Sequence, residues 1–146
     1  DGLVKGGERV LDIGTGSGIL AIAALKLGAA KAEGVDIDPM CVRTAGENAA
    51  LNGVQNDLTV LVGDLSEKAT GVYDVICANI VANAIIHLVP NVPALLAKHG
   101  TFLASGIIDT RKDEVIAAVQ AAGLALREVK EKNGWVALVC GHTGRE

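Results

Sequence analysis

Val10-Leu11-Asp12-Ile13-Gly14-Thr15-Gly16-Ser17-Gly18-Ile19-Leu20 carries an apolar strand into a glycine-rich turn and out again into a helix. Glycines at positions 14, 16 and 18 remove the β-carbons that would hold a ligand off the backbone, and they permit positive φ in a tight bend. The turn is therefore expected to press its amides against a bound molecule. Asp12 stands at the carboxyl end of the strand, where open α/β sheets collect their ligands. The spacing selects among those ligands. A nicotinamide or flavin fingerprint needs its third glycine three residues after the second, and that position is Ile19. An acid just before the first glycine also repels a pyrophosphate, whereas it suits a cationic or hydroxyl-bearing ligand.

Outward from the turn, strands alternate with helices. Arg9 to Ile13 reads as the first strand, and Ser17 to Leu27 as a helix with Gly28 behind it. Ala32 to Ile37 is the second strand, and Pro39 suits the first turn of a helix running to about Asn52. Leu58 to Val62 and Tyr73 to Ala78 are the third and fourth strands, the latter ending at Asn79. Ile80 to Lys98 is helical in pattern but interrupted by Pro90 and Pro93, which predicts two short helices or one sharp kink. Gly100 to Gly106 is a fifth strand, and Thr110 is placed to cap a helix through about Ala122. Leu124 to Lys132, Asn133-Gly134 and Trp135 to Cys140 carry the signal of a tight β-hairpin.

Length and composition set limits on what such a chain can be. Its 146 residues suit one domain, able to bury about two-thirds of its unfolded surface. Half the residues are apolar and only 2% aromatic, so the core is aliphatic, as in parallel strands buried on both faces. A net charge of −4 with no Lys/Arg cluster gives no footprint for a nucleic-acid backbone. Cys41, Cys77 and Cys140 are odd in number and outside any C-x-x-C pair, which argues against a disulfide framework or zinc site and for a reducing cytoplasm. No apolar run reaches membrane-spanning length. The opening at Asp1, with Met40 the only methionine, is what a fragment would show.

Asp-x-Gly-x-Gly-x-Gly resembles motif I of the Rossmann-like S-adenosylmethionine (SAM) methyltransferases. That likeness implies a doubly wound α/β fold with a seven-stranded sheet of order 3-2-1-4-5-7-6, strand 7 antiparallel, for which the terminal hairpin is the required ending. Asp36 closes the second strand eighteen residues after Gly18, where a carboxylate would accept hydrogen bonds from both ribose hydroxyls. Asp38, beside Pro39, fits a helix cap better. Asp64 follows the third strand, where such methyltransferases often contact the adenine amino group; as a loop acid it could equally be solvated. Asn79 could orient an incoming amine, hold the cofactor's charged end, or cap the helix from Ile80. Methyltransferases of adenine or glutamine amides usually show Asn/Asp-Pro-Pro-aromatic here; Asn79-Ile80-Val81-Ala82 has neither prolines nor a ring.

With Gly34-Val35-Asp36-Ile37-Asp38-Pro39, Leu103-Ala104-Ser105-Gly106-Ile107 and Trp135-Val136-Ala137-Leu138, the chain over nearly its whole length is similar to the ribosomal protein L-eleven methyltransferase (PrmA) family. The resemblance implies SAM as cofactor, bound by Gly14, Asp36 and Asn79, with Asn79 also the catalytic residue; the turn and strand ends read above add Asp12, Gly16, Gly18 and Asp64, and no His/Asp/Glu set has the spacing of a metal site. Its implied acceptors are lysine ε-amines and an N-terminal α-amine of a large-subunit ribosomal protein, in the cytoplasm. Residues 1–141 would be the SAM-binding catalytic domain and 142–146 a loose tail, while the family's N-terminal substrate-docking domain and its Gly-Thr-Gly-x-His segment are absent from this sequence. Thr15 stands where many relatives have Cys. The chemistry would be attack of a neutral amine on the methyl of a sulfonium, with positioning carrying most of the catalysis and water taking the proton. Another small-molecule or protein SAM methyltransferase, or a non-catalytic SAM-binding domain, stays open. His87, His99 and His142 share no motif and are expected at the surface, and Trp135 is expected to pack on the hairpin rather than to stack on substrate.

Overall fold

The structure, a computed structural model, describes residues 4–64 and 69–143. Its elements run β1 (Arg9–Ile13), α1 (Ile19–Lys26), β2 (Lys31–Asp36), α2 (Pro39–Leu51), β3 (Leu58–Val62), β4 (Tyr73–Asn79), α3 (Ala82–Leu88), α4 (Val92–Leu95), β5 (Leu96–Ile108), α5 (Lys112–Ala121), β6 (Leu124–Lys132) and β7 (Trp135–His142). They form one seven-stranded sheet of order β3-β2-β1-β4-β5-β7-β6. The first five strands are parallel, and β7 is antiparallel to both β5 and β6. This is the expected methyltransferase order with its reversed strand. Chain order turns round at β1, which has β2 on one side and β4 on the other, so the crevice of an open sheet falls at its carboxyl end.

Strand alternation sends Leu11 and Ile13 to one face and Val10 and Asp12 to the other. The larger core joins Leu11, Ile13, Ile76 and Phe102 to Ile85 and Leu88 of α3 and Val115 and Val119 of α5. A smaller core packs Val10, Ala32 and Val75 against Ala21, Ala24 and Leu25 of α1. Burying each large aliphatic side chain contributes roughly 1.5–3 kcal/mol, and these layers hold the crevice from beneath. At the opposite end of the strands, Glu33 accepts from Tyr73 Oη at 2.6 Å and from Arg9 at 2.8 Å, and the Arg9 guanidinium lies 4.1 Å from the Tyr73 ring centroid.

Several boundaries differ from expectation for identifiable reasons. The second strand stops at Asp36, leaving Ile37 outside it and 69% exposed. The prolines do divide the segment after Asn79, into α3, a 3-10 turn over Val89–Asn91, and α4. The fifth strand nevertheless begins at Leu96, four residues early, because Leu96 pairs with Tyr73 before the register slips. Gly100 is required just after, since a β-carbon there would lie 2.8 Å from Leu96 Cδ1 and 3.0 Å from Asp74 O. Thr110 is not a cap: it lies inside a 3-10 turn, and α5 starts at Lys112 with no side-chain cap. The closing strand runs to His142, whose ring nitrogen lies 2.8 Å from Leu96 O, so the tail does not begin there. Residues 1–3 of the lead-in and 144–146 of the expected tail lie outside the described residues.

Candidate functional site

The glycine turn is held together from within. Gly14 and Thr15 N–H both donate to Val35 O, at 2.7 and 3.0 Å, and Gly18 N–H donates to Thr15 O at 2.9 Å. Gly16 N–H donates to Asp36 Oδ2 at 2.9 Å, tying the turn to the end of β2. The expectation that these amides face a ligand is corrected: most close the turn, and what the turn offers outward is bare glycine backbone. Gly14 and Gly16 have φ of +73° and +57°. A β-carbon at Gly14 would strike Ile80 Cγ2 at 2.6 Å, whereas one at Gly16 would meet nothing within 4 Å and project into open space. Gly18 serves packing instead, for a β-carbon there would lie 3.0 Å from Ala45 Cβ of α2.

A crevice of about 280 Å³ opens beside this turn, lined by Ile13, Gly14, Val35, Asp36, Ile37, Gly63, Asp64 and Ile80. It brings Gly14, Asp36 and Asp64 together from three strand ends. Asp36 Oδ1 also accepts from Asp38 N–H at 3.0 Å, so each carboxylate oxygen is fixed by one backbone donor and keeps a second acceptor position. Asp38 caps α2, its side chain accepting from Met40 N–H at 2.9 Å. Ile37 and Ile80 were not foreseen. Their signal was an apolar residue directly after each of two polar strand ends, and they give the crevice apolar walls beside its acids.

Asp12 lies beneath the turn rather than in this crevice. It is 1% exposed, and its Oδ2 accepts from Thr15 Oγ1 at 2.9 Å while Oδ1 has no partner. Burial pushes its carboxyl up to about 6, opposed by the Thr15 hydroxyl and the Ala21 amide and reinforced by the charge of Asp36. Thr15 is pressed against β2 at Gly34, where a β-carbon would lie 2.7 Å from Thr15 Oγ1.

Asn79 ends β4 with its side chain exposed. It is not a helix cap, since α3 begins at Ala82 behind Val81 and has no side-chain cap bond. Its Oδ1 lies over β5, 2.5 Å from where a Gly106 β-carbon would stand. The amide is thus posed at the sheet's carboxyl edge, next to Ile80 of the crevice. Trp135 is also corrected: it is 57% exposed rather than packed. His87 and His99 are exposed and His142 is half-buried. Cys41, Cys77 and Cys140 are free thiols. Among the described residues no group of three or more His, Cys, Asp or Glu could hold a metal ion, and no helix is long and apolar enough to cross a membrane.

The family described as ribosomal protein L11 methyltransferase (PrmA) matches residues 1–143. A ribosomal protein L11 methyltransferase of Desulforamulus reducens is 44% identical over 140 residues, which cover 96% of this chain and 46% of that protein. One of Symbiobacterium thermophilum is 47% identical over 137 residues, covering 94% and 44%. The chain thus spans about half the length of the curated relatives it matches. The crystal structure of a ribosomal protein L11 methylase from Lactobacillus delbrueckii subsp. bulgaricus superposes with a TM-score of 0.90 at 34% identity, over 93% of this chain and 70% of that one. A TehB-like SAM-dependent methyltransferase from Corynebacterium glutamicum, at TM-score 0.79 and 18% identity over 98% and 84%, shares the fold.

Proposed function

The chain belongs to the ribosomal protein L11 methyltransferase (PrmA) family, and on that premise we propose that it is the catalytic domain of a SAM-dependent protein N-methyltransferase. The acceptors are lysine ε-amines and an N-terminal α-amine of ribosomal protein L11, in the cytoplasm. The observation that carries this reading is the crevice that gathers Gly14, Asp36, Ile37 and Asp64 at the carboxyl ends of β1, β2 and β3. Its volume, near the ~300 Å³ lower end of ligand pockets, suits a nucleoside seated in an open groove. Asp36 offers the free acceptor positions that two ribose hydroxyls need, Asp64 an acceptor for the adenine amino group, and Ile37 and Ile80 the apolar surface for the base. The carboxylates of Asp36 and Asp64 in the crevice lining also favour a sulfonium over a pyrophosphate.

When bound, SAM supplies a methyl group on a sulfonium, a leaving group that needs no acid. The chain's own part is placement. Gly14 and Gly16 let the backbone come close, and Gly18 keeps α1 against α2 so that the turn holds its shape. Asp12 supports the turn through Thr15, and its unpaired Oδ1 leaves an acceptor for a bridging water or a cationic group. Asn79, free of capping duty, accepts one N–H of the incoming amine and so aims its lone pair. Among the described residues none is assigned as a base for the amine proton, which passes to water. The sheet through His142 of β7 belongs to the catalytic domain, and docking of the ribosomal protein falls to sequence outside it; a net charge of −4 gives no reason to add a nucleic-acid partner.

Mass spectrometry of undermethylated L11 after incubation with SAM and the intact protein is expected to show methyl groups on lysines and on the amino terminus. Calorimetry is expected to show binding of SAM and not NAD, with Asp36→Ala weakening it by about 1.5–3 kcal/mol, the range for hydrogen bonds to a charged group. Binding of SAM without transfer to any amine would reduce the assignment to cofactor binding alone, and tighter binding of NAD than of SAM would overturn it.

A further inference from the structure

The chain's only tryptophan stands on the rim of the sheet. Because β7 runs antiparallel, its first residue, Trp135, lies at the carboxyl end of the parallel strands, paired with Ile108 of β5 and Lys132 of β6. An indole left 57% exposed forgoes a large hydrophobic gain. Its position is nevertheless well held. Asp109 N–H donates to Gly134 O at 2.9 Å, and Lys112 Nζ pairs with Glu131 Oε2 at 2.9 Å, fastening the hairpin tip to the end of β5 and to α5.

The pairing of β5 with β7 slips between Ala104 and Ile107, and this leaves Ser105 and Gly106 without partners on β7. Such bulges bend a strand and re-aim its neighbours. A cleft of about 230 Å³ opens there, with Ser105, Gly106, Lys130, Trp135 and Ala137 in its lining. Asn79 stands on the other side of the same two residues: it pairs with Ser105, and its Oδ1 lies 2.5 Å from where a Gly106 β-carbon would stand. Gly106 has φ of +80°, and any side chain there would drive Asn79 off the bulge.

We propose that this cleft receives the side chain carrying the acceptor amine, with the Trp135 indole as the wall along which its methylenes lie, making Trp135 a specificity-determining residue. The proposal rests on the amine-methyltransferase reading above. A lysine side chain is an apolar stem with a polar tip, and it needs a flat apolar surface that ends at the group orienting the nitrogen. Trp135 supplies the surface, the bulge the passage, and Asn79 the end point. The ring face also attracts an ammonium before its proton is lost and after methylation.

The single indole is its own reporter. With the 146-residue chain saturated with S-adenosylhomocysteine, a tryptophan-free lysine peptide from L11 is expected to change the Trp135 emission saturably, and the same peptide with alanine for lysine is not. In steady-state assays Trp135→Ala is expected to raise KM for the lysine peptide about tenfold, leave kcat within about threefold and leave SAM affinity unchanged, while Trp135→Phe recovers most of the loss. Emission that ignores the lysine peptide, or an unchanged KM in Trp135→Ala beside active wild type, overturns the proposal and leaves the methyltransferase reading standing. Emission that responds to lysine in a protein transferring no methyl to any amine supports the cleft and defeats that reading instead.

Discussion

Asp12→Asn should make the protein more stable at neutral pH. The carboxyl is 1% exposed, one of its oxygens has no donor, and burial raises it from the ordinary 3.8 to about 6. A raised carboxyl binds its proton more tightly in the folded state than in the unfolded chain. Stability from this group is therefore greatest below about pH 4, declines as pH rises toward 6, and is flat above that. At 1.36 kcal/mol per unit, a rise of about two units costs about 3 kcal/mol at pH 7. Asparagine keeps an acceptor for the Thr15 hydroxyl and removes the charge, but its amide brings a donor without a partner, worth about 1–2 kcal/mol against it. The net expected gain is about 1–2 kcal/mol. Urea unfolding of wild type and variant between pH 4 and 8 measures it, and taking the difference cancels the exposed carboxylates Glu8 and Glu114, whose lowered values act in the opposite sense. Near pH 4, where the charge cost has almost gone and the unpartnered amide donor remains, the variant should lie about 1 kcal/mol below wild type, then overtake it as pH rises and level off above it beyond about pH 6. A difference that stays constant across this range, or that grows as pH falls, would refute the argument that a buried charge sits under the turn.

Two glycines of the turn should differ in stability: Gly16→Ala costs only the backbone strain of about 1–2 kcal/mol, while Gly14→Ala, in the crevice lining, adds a clash with Ile80. Thermal unfolding should rank Gly14→Ala below Gly16→Ala, with SAM affinity lost in both; equal melting points would contradict the clash. Glu33→Gln, which weakens the acceptor for both Tyr73 and Arg9, should lower stability by about 1–2 kcal/mol in denaturant titration without changing SAM affinity. Burial pushes Cys77 up to about 12 and Cys140 up to about 11, so a thiol reagent at pH 8 should modify Cys41 first and the other two only on unfolding. Cys41 should itself react more slowly than a free thiol, because partial burial and the charges of Asp36 and Asp38 raise it.

What the sequence determined by itself was whatever depends on local chemistry and periodicity. The glycine turn, the parallel strands and the Asn133-Gly134 hairpin are each dictated by a few neighbouring residues, and Asn133 and Gly134 do take φ of 54° and 84°. The same holds for Asp36 at a strand end and Asp38 as a cap, because both positions follow from strand length and from Pro39. Tertiary contacts decided the rest. Leu96 to Lys98 follow a helical pattern, but pairing of Leu96 with Tyr73 draws the segment into β5, since a long-range ladder outweighs weak local preference. The turn's amides were assigned to a ligand because their partner, Val35 O, lies twenty residues away and becomes a neighbour only when β2 pairs with β1. Asp12 and Asp36 look alike as acids at strand ends, yet the alternation of faces buries one beneath Thr15 and leaves the other in the crevice. Trp135 lies on the β7 face opposite the buried Val136 and Leu138, and whether that face is covered was decided by the packing of the whole sheet.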